Sequence, residues 1–174
     1  GWMRTPSEVG YYSAAQKMIL LLYVLPGLLA SSTFPALARL VKTNADVAQK
    51  ILSKSLKLLL LIAFPLSVFG ILLAQPIIAL IFGATYLPAT TTFQILLLSL
   101  ALVFPGTILG NALFAYDGQK YFLRIVMLST LSNAILNYIL IKPWGIEGAA
   151  LSTIVTQLIT NTFIYFKVRK LTKI

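Results

Sequence analysis

Side chains able to do chemistry are scarce in this chain, and their spacing limits what chemistry is left. Of 174 residues only four are acidic (Glu8, Asp46, Asp117 and Glu147), and they lie far apart, each near an expected helix end. No close carboxylate pair for acid–base work can be assembled from them. His and Cys are both absent, which removes imidazole proton relays, His or thiolate metal sites and disulfides. No cofactor or metal centre is implied, and an enzyme is not expected. What remains is chiefly one cation and three carboxamides set in apolar runs: Lys17, Asn111, Asn133 and Asn137. Groups of this kind hold, bind or steer.

The elements that position them belong in a bilayer. The chain is 59% hydrophobic and only 10% charged, with mean hydropathy +0.90, whereas a soluble domain carries about 25% charged residues. Five runs approach or exceed the roughly 20 residues a transmembrane helix needs: about 13–40, 56–74, 92–116, 121–141 and 147–167. Backbone groups in lipid must be satisfied within the segment, so each run is expected to be a helix. Runs such as "LLLLIAFPLSVFGILLA" lack the period-two alternation of barrel strands. The expectation is an all-α integral membrane protein, with residues 1–174 forming one transmembrane helical region. The apolar run 77–82 is too short to cross and is expected to extend a helix or lie at the interface, ending at Gly83.

Eleven of the fourteen Lys and Arg residues fall on one side of this arrangement, in the segment between the first two spans, before the fourth span and at the C-terminal end. Arg4, Lys17 and Lys142 fall on the other. An excess of this size marks the cytoplasmic side, which puts Gly1 outside and the C-terminus inside, in a cell membrane of inner or plasma type. The net charge of +10 is then explained by contact with anionic lipid headgroups, and nucleic acid is not an expected partner. The chain opens on Gly1-Trp2-Met3, on the outer side, so preceding spans are expected.

Three prolines, Pro26, Pro65 and Pro105, lie well inside spans, where each removes a backbone hydrogen bond and bends its helix. Such bends either enclose a cavity or reflect the tolerance of membrane helices for proline. Asn133 and Asn137 are one turn apart and share a face. They either bond to a neighbouring helix or touch substrate in a hydrated cavity, as could Asn111. Lys17 either snorkels to the outer headgroups or meets an anion in a water-filled cavity.

"EVGYYSAAQKM", "LIFGATYLPATTTFQILLLSL" and "DGQKYFLRIVMLSTLSNAILNYILIKPWGIEGAALSTIV" together resemble the polysaccharide biosynthesis and export proteins. These form a branch of the multidrug/oligosaccharidyl-lipid/polysaccharide exporter superfamily that includes the O-antigen repeat-unit flippases and, more distantly, the lipid II flippase. The resemblance implies five helices, the eighth to the twelfth, of a two-lobed transporter. It implies translocation of polyprenyl-diphosphate-linked oligosaccharide by alternating access, with the lipid-linked sugar, membrane lipids and a missing N-terminal lobe as partners. Lys17 falls where the lipid II branch carries a cavity-facing basic residue. A multidrug/cation antiporter of the same superfamily is the competing reading, and a membrane glycosyltransferase or polymerase of the same pathway a more distant one.

Overall fold

The computed structural model describes residues 4–172; the expected outer position of Gly1 and the contribution of Lys173 to the basic end lie outside them. Among the described residues every regular element is helical: α1 Pro6–Leu22, α2 Val24–Thr43, α3 Ala45–Leu72, α4 Ala74–Phe82, a 3-10 turn Ala84–Ala89, α5 Thr90–Leu98, α6 Leu100–Ala115 and α7 Gln119–Thr172.

Helix α1 starts on a capping box. Thr5 Oγ1 accepts from the Glu8 N–H at 3.3 Å, while the Glu8 carboxylate accepts from the Thr5 N–H at 3.0 Å, satisfying two of the donors a helix start leaves open. The expected first span, about 13–40, is interrupted at Tyr23, where α1 stops and α2 begins. Pro26 supplies the reason: it has no N–H to return to the Leu22 carbonyl. The same offset recurs at Leu73, between α3 and α4, three residues before Pro76.

The segment 41–55, expected as a basic loop, is almost wholly helical. Only Asn44 separates α2 from α3, and its side chain caps the Val47 N–H at 3.2 Å. Buried Ala48, Leu52, Ser55 and Leu59 follow the 3.6-residue period, and the lysines occupy the other side, where they mask the pattern in a simple hydropathy reading. The run 77–82 is helical within α4, which ends at Gly83.

Helix α6 forms the centre. Leu100, Phe104, Ile108, Ala112 and Leu113 on it are at most 2% exposed, and it packs against α2, α3 and α7. The outward surface is apolar: Leu61, Phe64, Leu72 and Leu80 are 70–88% exposed. An exterior of this kind is at home in hydrocarbon. Among the described residues three stretches are long and apolar enough to cross a membrane: Pro6–Thr43 taken through Tyr23, Ala45–Leu72 and Gln119–Thr172. The pair Ala84–Leu98 and Leu100–Ala115, bent by 41°, makes a fourth.

Helix α7 is folded back on itself. Gly145 has φ 61° and ψ −136° inside it, a positive-φ conformation that is essentially glycine's own and costs other residues about 1–3 kcal/mol. The limbs 119–144 and 146–172 then run side by side in opposite directions. Ser129 pairs with Thr160 at 2.6 Å, Asn133 with Thr156 at 3.2 Å, and Asn137 with Ser152. One partner climbs by four residues as the other descends by four, the signature of an antiparallel hairpin. A Cβ on Gly148 would meet the Leu140 carbonyl oxygen at 2.1 Å, so the absence of a side chain there lets the limbs close.

Candidate functional site

The polar side chains at membrane depth fall into two groups, those that satisfy the protein and those left open. Asn133 and Asn137 belong to the first. Asn133 Nδ2 donates to Thr156 Oγ1 at 3.2 Å, Asn137 Nδ2 donates to Asn133 Oδ1 at 2.9 Å, and the Ser152 hydroxyl donates to Asn137 Oδ1. Their shared face therefore points at the opposing limb. Asn111 Nδ2 donates to the Ala30 carbonyl at 3.0 Å and ties α6 to α2. These bonds matter because an unpaired amide in hydrocarbon costs several kcal/mol. Beside the ladder, Val126, Ser129, Thr130, Asn133, Thr153, Thr156 and Gln157 line a cleft of about 320 Å³ between the limbs.

Further polar contacts stand where helices are interrupted. Tyr23 lies between α1 and α2, and Ser99 between α5 and α6; their hydroxyls are 3.0 Å apart. Ser99 Oγ donates to the Leu96 carbonyl at 2.5 Å, so its proton is spent and Tyr23 must be the donor to it. Gln157 Nε2 approaches Tyr23 Oη at 3.5 Å, which links the second limb of α7 to the same point. Ser67 Oγ donates to the Leu97 carbonyl at 2.9 Å, and Gln94 Nε2 to the Ile71 carbonyl at 3.1 Å, next to the breaks at Ser99 and Leu73. Side chains thus take up carbonyls beside the helix interruptions, as a bilayer requires. Of Tyr23, Ser99 and Gln94, only Tyr23 carries a sequence signal, a hydroxyl three residues before a proline; Ser99 and Gln94 meet their breaks through packing.

Of the prolines, Pro26 stands in the first turn of α2 just after the break, while Pro65 and Pro105 lie inside α3 and α6. Beside Pro105, Asn161 Nδ2 donates to the Leu102 carbonyl at 2.6 Å. Pro35, also inside a helix, was not singled out.

Lys17 is different. It is exposed on α1, beside Leu20 and Leu21, which are 53% and 66% exposed, while Ala14, Ala15 and Ile19 on the other side are buried. Among the described residues no carboxylate lies within ion-pairing distance of it. The structure does not bring Lys17 together with Asn111, Asn133 or Asn137; it stands apart as an open cation on an apolar surface.

The two ends of the bundle also differ in charge. Lys42 approaches Asp117 at 3.8 Å, and Lys167 stacks on the Tyr121 ring at 5.1 Å, which gathers the basic segments around 42, 117–124 and 167 at one end. At the other, Arg4 Nη2 donates to the Ile141 and Lys142 carbonyls at 2.5 and 2.9 Å, capping the first limb of α7 where its last carbonyls lack helical partners.

A helical bundle with an apolar exterior, interrupted helices and inward hydrogen bonds is a multi-pass membrane protein. Residues 5–174 match the family described as "Lipid II flippase MurJ", and the chain belongs to that family. It is similar to two proteins of Haloferax volcanii. One, named "Probable low-salt glycan biosynthesis flippase Agl15", is 30% identical over 88% of this chain and 33% of that protein. The other, named "Probable flippase AglR", is 30% identical over 90% of this chain and 34% of that protein. Among solved structures, "Lipid II flippase MurJ, inward closed conformation" superposes with TM-score 0.78 and 25% identity, covering 93% of this chain and 36% of that one. The chain therefore spans about a third of the length of the curated relatives it matches.

Proposed function

We propose that this chain is part of a transporter that moves polyprenyl-diphosphate-linked oligosaccharide from the inner to the outer leaflet of the cell membrane, for surface polysaccharide synthesis. Family membership across residues 5–174 carries this reading, and the flippase names of the relatives support it. The chain crosses the membrane five times, with the α7 hairpin supplying two crossings, the basic end cytoplasmic and Arg4 outside. The rest of the transporter forms the facing lobe. Lys17 contacts the diphosphate, a role that suits an exposed, unpaired cation at this depth. Rocking of the two lobes then exposes the substrate to the other side, and no bond is made or broken. The four carboxylates keep to helix ends: Glu8 and Asp46 in first turns, Asp117 in the α6–α7 turn and Glu147 just past Gly145. That placement gives a cation antiporter little to bind with in these helices.

Complementation tests the proposal. The full-length protein that contains this chain should restore surface polysaccharide in a strain lacking its own lipid-linked oligosaccharide flippase. Failure to restore it, together with ion-driven drug efflux, would overturn the reading.

A further inference from the structure

Helix α3 carries an amphiphilic stripe that the transport reading leaves unused. Lys50, Lys54 and Lys57 follow one another at four and three residues, so they share a face, away from buried Ala48, Leu52, Ser55 and Leu59. With Asp46, Gln49 and Ser53 they make up one open face of α3. Among the described residues none of the three lysines is paired with an acid. Continuing from Lys57 at the same helical spacing, the stripe becomes wholly apolar: Leu61, Phe64, Val68 and Leu72 are 71%, 70%, 40% and 70% exposed. The change from cation to hydrocarbon happens once, between Lys57 and Leu61. At about 1.5 Å per residue the lysines cover about 10 Å along the axis, enough to span a headgroup layer about 5–8 Å thick.

We infer that this stripe is a binding site for an acidic phospholipid. The lysines hold its phosphate headgroup, with Gln49 and Ser53 available as hydrogen-bonding neighbours, and its acyl chains lie along Leu61, Phe64, Val68 and Leu72. Three unpaired cations outweigh the single carboxylate of Asp46 on this face and favour an anion, and the apolar continuation selects an anion with chains over a soluble one. The inference needs only the membrane setting, so it stands or falls apart from the transported substrate.

The test uses the full-length protein in bilayer discs holding equal phosphatidylglycerol and phosphatidylcholine, with retained lipids counted by native mass spectrometry. Preferential retention of phosphatidylglycerol is expected. K50Q/K54Q/K57Q should reduce it at least tenfold, at about fivefold per lysine from the pull of an anionic leaflet on a surface cation. The corresponding triple Arg variant should keep it, and so should K120Q/K142Q/K170Q, which removes equal charge elsewhere. Equal loss in that control would mean bulk charge attraction and overturn the site, as would displacement of the lipid by millimolar inorganic phosphate or the absence of any preference. Helical content by circular dichroism verifies folding; if the Gln triple unfolds, K54Q alone should still lower retention severalfold, and unchanged retention overturns the inference.

Discussion

The Tyr23 hydroxyl donates to Ser99 Oγ across 3.0 Å, joining two residues that each stand where a helix is interrupted. Ser99 in turn donates to the Leu96 carbonyl, so the bonds run one way, from one break into the other. In hydrocarbon an interhelical bond of this kind contributes about 0.6–2 kcal/mol. Tyr23→Phe should therefore lower the unfolding free energy by about 1 kcal/mol, measured by detergent-induced unfolding. Ser99→Ala, combined with it, should add less than its effect alone, because both remove the same bond. Full additivity in the double-mutant cycle would show that the two hydroxyls are merely adjacent.

The α7 hairpin makes a steeper demand. A Cβ at Gly148 would sit 2.1 Å from the Leu140 carbonyl oxygen, and backbone cannot step aside as a side chain can. Gly148→Ala should cost about 1–3 kcal/mol through overpacking. Gly145→Ala should cost about 1–3 kcal/mol for holding a positive-φ conformation that is essentially glycine's own, at φ 61°. Thermal unfolding in detergent ranks the two, and a silent Gly148→Ala would mean that the limbs are not in close contact.

Much of this architecture was legible because lipid punishes unsatisfied backbone, so apolar runs of span length almost had to be helices. The short gap between the expected spans 121–141 and 147–167 likewise announced a hairpin. Segment 41–55 misled: three lysines hid a helical period carried by Ala48, Leu52 and Ser55, since hydropathy averages over faces that a helix keeps apart. The interruption at Tyr23 was expected as a bend within one span and is a break between two helices. Asn133 and Asn137 were legible as a shared face, but which limb they would meet depended on the register of the hairpin. Tyr23 and Ser99, 76 residues apart, could not be paired from sequence, because neither carries a mark of the other.

Acid should loosen the start of α1. The Thr5 N–H and hydroxyl, with Arg4 beside them, hold the Glu8 carboxyl below the usual carboxylate range. A pKa lowered in the folded state means that the cap is fully formed above the ordinary carboxylate pKa and is lost as pH falls through the folded-state value. Hydrogen exchange at the Glu8 and Val9 amides should accordingly gain protection between acid and neutral pH beyond the intrinsic exchange trend. Glu8→Gln should remove that pH dependence, and a pH dependence that survives the substitution would place its origin elsewhere.

Lys17 and the Asn133–Asn137 pair should separate transport from stability. Lys17 is exposed and unpaired among the described residues, so Lys17→Gln removes a charge without breaking a contact. Its effect on unfolding should stay within about 0.5 kcal/mol, as for surface sites in general. If it meets the diphosphate, loss of that charge-assisted contact, about 1.5–3 kcal/mol, should cut transport about tenfold to a hundredfold, and Lys17→Arg should retain most of it. Asn137→Leu should do the reverse at first order. It strips the partner of Asn133 Oδ1 and leaves the Ser152 hydroxyl only the Ala149 carbonyl, so the protein should lose about 1–3 kcal/mol of stability, and transport should fall only with the amount of folded protein. Flux of fluorescent lipid-linked sugar in vesicles, normalised to folded protein, distinguishes the two. Unchanged normalised flux in Lys17→Gln would assign Lys17 to the headgroup interface, where a lysine on a long flexible stem reaches water without touching the cargo.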